Sequence, residues 1–317
     1  MNSLSAGGGP LDVTVVICAY TEARWDLTQA ALKSVMDQEP QPGQVLLVID
    51  HNEALAARAR SEYPALTVLE SEGERGLSGA RNTGLRKAEC QITVFLDDDA
   101  SARPGWLASL VEPYNDPSVL ATGGSIFPVW PAGRPGWLPP EFYWVVGCSY
   151  RGLPETAGPV RNPIGANMSM RTADTIAVGG FYASVGRVGT KPRGCEETEL
   201  AIRLTASRQG SLVMYVPAAA VDHNVSRERV TFSYFLRRNW HEGRSKATVV
   251  SLAGADAGLQ RERRQVAAVL PRAIGRDLLR LIRGDGSAIA RVGAAVVGVA
   301  AAAGGYLTAS IRMALPQ

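Results

Sequence analysis

The chain has 317 residues, 46% of them hydrophobic and 20% charged, the composition of a globular protein with one large domain or two intimate ones. Disorder as the default state is excluded. Its net charge of +3 is too small to argue for a nucleic-acid partner. Cys18, Cys90, Cys148 and Cys195 lie far apart without C-x-x-C spacing, so neither a disulfide scaffold nor a cysteine zinc site is expected, and a reducing, cytoplasmic setting fits best.

Residues 1–11 have no basic start and no apolar run, and read as a short disordered leader rather than a secretory signal. The runs at 13–18 (VTVVIC) and 45–49 (VLLVI) lack polar alternation, which predicts strands buried on both faces of a sheet. Between them, 26–38 places Leu27, Ala30, Ala31, Ser34 and Val35 on one helical stripe, giving a βαβ unit. A helix at 53–62, a strand at 66–70, a helix around 78–88 and a strand at 92–96 (ITVFL) continue the alternation. A largely parallel α/β sheet follows, with ligands expected at the carboxyl ends of its strands.

From 126 to 165 eight prolines prevent long helices, and Trp130, Trp137 and Trp144 fall in the same stretch. Such a segment can wall a pocket or pack as a rigid surface connection. A strand at 167–170, helices at 172–177 and 196–208, and a strand at 212–216 come next. Residues 259–283 form a basic helical stretch interrupted at Pro271, and eight Arg against three acidic residues between 259 and 291 concentrate the positive charge there. Val292 to Ile311 carries no charge but holds seven Ala and four Gly. A bilayer span, docking on a membrane surface and a packed helical hairpin all remain open for this tail.

The chemistry concentrates at Asp97-Asp98-Asp99, directly after the strand ITVFL. Three consecutive carboxylates repel one another and a strand end does not need them for folding, so a hard cation, Mg²⁺ or Mn²⁺, is the natural partner. Such an ion completes its shell with water and substrate phosphates, which points to a nucleoside diphosphate. In GERGLSGARNTGL, residues 73–85, Gly76 and Gly79 loosen the backbone ahead of a helix starting near Ala80, where free N–H groups, Arg75 and Arg81 can face a ligand. The dinucleotide and P-loop glycine signatures are absent. Asp50, ending the second strand, is either a ribose or base contact or a helix N-cap. The cluster Cys195-Glu196-Glu197-Thr198-Glu199 opens a helix, where acidic residues suit the dipole, and one of them is spare as a general base. His223 is a structural histidine or a metal ligand. In the basic run 237–244, Arg238, Trp240 and Arg244, together with Trp144, are candidate diphosphate or acceptor contacts, or else part of a solvated helix face.

Taken together and in this order, VVICAYTEARWDLTQAALKSV, VID, GLSGARNTGL, FLDDDA, RNPIGANMSMR and GCEETEL resemble glycosyltransferase family 2, the inverting nucleotide-sugar enzymes of GT-A fold, over about residues 12–246. Within the family the chain also looks similar to archaeal glucosyl-dolichyl-phosphate glucuronosyltransferases. The resemblance implies a nucleotide-sugar-binding half at 12–125, an acceptor-binding half at 126–225, and a basic segment with a helical tail at 226–317. It implies that Ala19, Tyr20, Glu22 and Asp50 line the nucleoside site with Arg81 near it, that Asp98 meets the ribose, and that Asp97-x-Asp99 is the DxD signature with Asp99 on the metal. Glu196-Glu197 stands where the family has Glu-Asp, whose second member is the base. Cys18-Ala19-Tyr20-Thr21 replaces the common Pro-Thr-Tyr-Asn.

The expected activity is a metal-assisted single displacement that moves a sugar from a UDP-linked donor to an acceptor hydroxyl. Glu197, or Glu196 in its place, takes the proton, and Asp97, Asp99 and His223 hold Mn²⁺ or Mg²⁺. A lipid phosphate, a polysaccharide end and a hydrophobic small molecule are all compatible as acceptors, and the protein is expected in the cytoplasm, at the inner face of the plasma membrane if its tail docks there. A nucleotidyltransferase or a non-catalytic membrane-docking protein are the competing classes. The first would follow its opening strand with a glycine-rich basic loop, which CAYTEA is not; the second leaves the acidic clusters without a reason.

Overall fold

The computed structural model describes residues 9–182, 194–254, 259, 262, 263 and 265–314. Most of the expected leader, residues 1–8, and residues 260, 261 and 264 of the basic stretch lie outside the described residues. Leu11, assigned to the leader, is buried and opens the first strand instead, because its apolar side chain continues the run of core residues that follows.

The chain falls into two compact units, the first comprising Met1–Phe127, Pro154–Lys191 and Glu196–Asn224. Four of its strands are parallel: β1 (Leu11–Ala19), β2 (Pro42–Ile49), β3 (Thr67–Glu70) and β4 (Ile92–Asp97) lie in the order β3-β2-β1-β4. Val13, Val15, Val16 and Ile17 of β1 and Val94, Phe95 and Leu96 of β4 are all buried, as strands covered on both faces require. The crossovers are α1 (Trp25–Met36), α2 (Glu53–Glu62) and α3 (Leu77–Lys87). In α1, Trp25, Thr28, Ala31, Leu32 and Val35 face the sheet with helical spacing. Asn52 caps α2 by accepting from the Leu55 N–H (3.0 Å), so Asp50 is not that helix's cap. Helix α3 starts at Leu77, a turn before the expected Ala80, after Gly76 at φ +129°. It lies so close to β1 that a Cβ at Gly84 would come within 2.4 Å of Val16 Cγ1.

Beyond β4 the sheet continues through β8 (Asn167–Arg171), β6 (Val119–Val129), β9 (Leu212–Asn224) and β5 (Ala100–Ala102), with β7 (Gly158–Val160) also on β9. β8 runs antiparallel to β4 and β6, and β5 and β7 run antiparallel to β9. The expected strand 212–216 is thus thirteen residues long. Pro217 and three alanines hide its second half from a reading by hydrophobic runs. Helices α4 (Trp106–Val111), α5 (Thr172–Ala177) and α6 (Glu196–Ala206) complete this unit. Because β8 and β9 join the same sheet as β1, residues 154–182 and 196–224 belong with 9–127, and the compact units do not follow the chain-order division of the sequence.

The second unit comprises Pro128–Leu153, Pro192–Cys195 and Val225–Gln317. A tight helical turn at Pro140–Val146 is the regular element of its proline-rich part. Among the described residues its longer helices are α7 (Phe232–Ala253), α8 (Leu270–Ile282) and α9 (Ser287–Ala314). A π-helical turn at Gln265–Val269 runs directly into α8, and Pro271, which has no N–H to donate, sits in the first α-helical turn where the winding changes. Trp137 packs edge-on against Phe232 and Phe235 at 5.3 and 5.5 Å, and Phe142 lies 5.4 Å from Phe235. α7 and α9 pack through glycines: a Cβ at Gly243 would fall 1.9 Å from the Ala302 carbonyl oxygen, and one at Gly305 would fall 2.1 Å from that of Trp240. By length and composition α9 is apolar enough to cross a bilayer, while 33% of its most apolar stretch is buried inside the protein.

Candidate active site

The carboxyl ends of β1, β2 and β4 meet the start of α3, the position at which an open α/β sheet offers a crevice to ligands. Ala19 closes β1 and its carbonyl accepts from the Asp50 N–H (2.8 Å), which ties the two strand ends together. Asp50 Oδ2 accepts from the Gly76 N–H (2.9 Å), and Asp50 Oδ1 lies 2.7 Å from His51 Nδ1. Gly76, the residue before α3, therefore spends its N–H inside the protein. Tyr20 is half exposed and Glu22 exposed, on the turn that leads into α1. Arg75 is exposed, with Nη2 3.4 Å from the His51 carbonyl.

The three aspartates point to different partners. Asp97, the last residue of β4, accepts from Arg81 Nη2 (3.1 Å). Asp98 Oδ1 meets Arg24 Nη1 at 3.2 Å, and its Oδ2 is buried without a hydrogen-bond partner among the described residues. Burial, with Asp99 beside it, pushes the Asp98 carboxyl up to about 7 in spite of Arg24. Asp99 is held on both oxygens, by Arg24 Nη1 at 3.0 Å and by His223 Nε2 at 3.1 Å. The strand pairing explains the last contact: β5 follows the aspartates directly and sets Ala100 opposite His223 on β9, while the Asn224 N–H donates to the Asp99 carbonyl (2.8 Å). His223 is accordingly inside a strand, not beyond one.

Arg81 is the hub on the other side. It is fully buried on α3, donates through Nη1 to Glu196 Oε1 (3.2 Å) and through Nη2 to the Gly165 carbonyl (2.8 Å), and lies 5.5 Å from the Phe181 ring. Burial opposes its charge, but Asp97 and Glu196 raise its pKa further. Glu196 is buried with Oε2 unpartnered among the described residues, whereas Glu197 on the same first turn of α6 is half-buried and close enough to add to the field on Arg81. Burial also pushes the Cys18 thiol, opposite Asp97 in the sheet, up to about 12. It stays protonated at neutral pH and supplies no nucleophile.

Asp97, Asp99 and His223 bring one ligand atom each within 4.8 Å of one another, a geometry that can hold a metal ion. The donors are two hard carboxylates and an imidazole, which suits Mn²⁺ or Mg²⁺. Asp97, Asp98, Asp99 and Glu196 are gathered around the guanidinium groups of Arg24 and Arg81. Two buried carboxylate oxygens, Asp98 Oδ2 and Glu196 Oε2, have no hydrogen-bond partner among the described residues, which fits a divalent cation there.

Two of the residues that organise this site carry no strong sequence signal. Arg24 is a single basic residue in the loop YTEAR, and only the fold brings it to Asp98 and Asp99. Asn167 is fully buried and locks three strands, donating to the Ser125 and Ala219 carbonyls and accepting from Trp106 Nε1. Its presence in RNPIGANMSMR marked it only as part of a pattern.

The remaining candidates belong to the second unit and are engaged there. Arg238 pairs with Glu242 (2.7 Å) and lies 5.5 Å from the Trp144 ring. The Cys195 thiol donates to Glu242 (3.2 Å), and burial of that carboxylate is overcome by Arg238 and Lys246, which hold it down at about 2. Trp240 lies against α9, where a Cβ at Gly304 would fall 2.9 Å from its ring, and Arg244 is half-buried on α7.

The family model for glycosyl transferase family 2 matches residues 14–178. Over 240 residues the chain is 34% identical to the glucosyl-dolichyl phosphate glucuronosyltransferase of Haloferax volcanii, covering 74% of this chain and 76% of that one. The chain belongs to glycosyl transferase family 2. A shorter match, 41% identical over 54 residues, joins this family 2 enzyme to the pre-mycofactocin glycosyltransferase of Mycobacterium tuberculosis, over 17% of this chain and 12% of that one.

Two solved structures share its GT-A fold. The mannosyltransferase PcManGT from Pyrobaculum calidifontis, in complex with GDP-Man and Mn²⁺, superposes with a TM-score of 0.61 at 19% identity, over 93% of this chain and 87% of that one. GalNAc-T7 with UDP, GalNAc and Mn²⁺ superposes with a TM-score of 0.54 at 17% identity over 80% of this chain, which spans 53% of that one. As in its relatives, the family 2 assignment makes this chain a glycosyltransferase that works on a nucleotide sugar.

Proposed function

We propose that this glycosyltransferase moves a sugar from a UDP-linked donor to the hydroxyl of a lipid-phosphate-linked acceptor by a single, inverting displacement. The observation that carries the reading is Asp99, held between His223 and Arg24 with Asp97 alongside. In this reading Asp97, Asp99 and His223 hold Mn²⁺ or Mg²⁺, which when bound would neutralise charge on the departing diphosphate. Ala19, Tyr20, Glu22 and Asp50 line the nucleoside side, and Asp98 accepts from the ribose.

The base in this reading is Glu197. Glu196 is committed to Arg81 and buried, so it positions Arg81 and Asp97, whereas Glu197 retains partial access. A carboxylate at that place takes the acceptor's proton as the new glycosidic bond forms. The lipid-linked acceptor rests on likeness to the Haloferax enzyme, whose name specifies a glucosyl-dolichyl phosphate substrate.

The test is transfer itself. Radiolabelled UDP-sugars and GDP-mannose are each incubated with the protein, Mn²⁺ and glucosyl-dolichyl phosphate, and label is counted in the organic extract. UDP-dependent, EDTA-sensitive label is expected; label from GDP-mannose alone would overturn the donor assignment.

A further inference from the structure

Helix α8 buries Leu270, Ala273 and Asp277, but its C-terminal half turns an apolar cluster to solvent. Asp277 is buried, at 2% exposure, while Leu278, Leu279 and Ile282 are exposed, Ile282 at 83%. The inward charges are paired: Arg291 Nε lies 3.1 Å from Asp277 and its Nη2 lies 2.6 Å from Asp285, while Arg276 Nη1 lies 3.0 Å from the fully buried Glu141. Turning the apolar side inward would strand these buried charges, which is far more costly than exposing three aliphatic side chains.

α9 continues the pattern. Ile289, Val296, Val297, Leu307 and Ile311 are exposed and recur at i, i+7, i+8, i+18 and i+22, one face of a helix. The opposite stripe, Ala288, Arg291, Ala294, Ala295, Gly298 and Gly305, is buried. Residues 292–311 hold no charge, so the outward stripe is apolar over about five turns.

We infer that the outward apolar face of α8 and α9 docks in the interfacial layer of an anionic lipid bilayer. Arg272 and Arg283 are exposed and fall at i−7 and i+4 from Leu279, in the same row as the apolar patch. Guanidinium groups there can reach lipid phosphates while the aliphatic side chains enter the acyl boundary. The same arginines disfavour a second copy as the occupant, since two such faces would bring like charges together. A full span is disfavoured because the inner face of α9 is notched onto α7 at Gly243 and Gly305, and α7 carries Arg237, Arg238, Glu242 and Arg244, which do not enter hydrocarbon. The inference does not rest on the transfer reaction.

The test is flotation of the full chain with vesicles of phosphatidylcholine alone or mixed with phosphatidylglycerol. Binding to the mixed vesicles and little to phosphatidylcholine alone is expected. The triple variant Leu278→Gln, Leu279→Gln, Ile282→Gln should bind at least about tenfold more weakly, and Arg272→Gln with Arg283→Gln about thirtyfold more weakly. All these positions are exposed, and an unchanged circular dichroism spectrum shows that each variant is folded. Undiminished flotation of the triple variant, a lipid-independent dimer in sedimentation velocity, or protein released from vesicles by detergent but not by high salt would each overturn the inference.

Discussion

Arg81 Nη1 lies 3.2 Å from Glu196 Oε1, so one buried guanidinium joins the start of α6 to the end of β4, where its other nitrogen meets Asp97. The bridge spans 115 residues of sequence and sets the acidic turn of α6 beside the aspartate run. Arg81→Met leaves Glu196 and Asp97 without their cation. Urea denaturation should show a loss of about 3 kcal/mol or more, as expected when one partner of a buried pair is removed. Arg81→Lys should recover little of it, because an ammonium cannot make the forked contacts to Glu196, Asp97 and the Gly165 carbonyl together.

Arg24 holds Asp98 and Asp99 where a cation is expected to bind. Its removal should have opposite effects on two ligands. In Arg24→Gln, Mn²⁺ alone should bind roughly tenfold more tightly, since a competing positive charge is gone. UDP in the presence of Mn²⁺ should bind more weakly, since a cation near the phosphates is gone. Electron paramagnetic resonance titration of free Mn²⁺ separates the two; weaker binding of Mn²⁺ alone would show that Arg24 supports the ion rather than competing with it.

The two glutamates should separate in the same way. Glu197→Gln is expected to lower kcat by about 10² to 10⁴-fold and to leave the melting temperature and UDP affinity near those of the unaltered protein. Glu196→Gln should instead lower the melting temperature, because Arg81 loses a charged partner. Near-normal turnover by Glu197→Gln would remove that residue from the role of base.

Stability of the second unit depends on the close approach of α7 and α9. Gly243→Val puts side-chain atoms where the Ala302 carbonyl stands, so the helices must separate, at about 1–3 kcal/mol by analogy with overpacked cores. Differential scanning calorimetry should show a lower transition for this variant. An unchanged transition would mean that the two helices are not packed as described.

The parallel part of the sheet is legible because β1, β2 and β4 are buried on both faces and therefore read as unbroken aliphatic runs. The aspartates are legible because nothing in folding asks for three carboxylates after a strand. What makes them a site is not local. Arg24 reaches Asp99 through the turn into α1, and His223 reaches it through antiparallel pairing of β5 with a strand whose second half is Pro217 and alanine. Neither contact has a spacing that a one-dimensional pattern can show. The same holds for α9: its lack of charge is visible in the sequence, but which face meets α7 is decided by Gly243 and Gly305, and which way α8 turns is decided by Asp277 and Arg291.

The central claim is a metal-dependent nucleotide site built on Asp99. Calorimetric titration of the protein with UDP in Mn²⁺ and in EDTA, alongside Asp99→Ala and His223→Ala, tests it most directly. UDP binding that requires Mn²⁺, is lost in Asp99→Ala and falls by about tenfold to a hundredfold in His223→Ala is the predicted result. UDP binding of equal strength in EDTA, or undiminished in Asp99→Ala, would contradict the account.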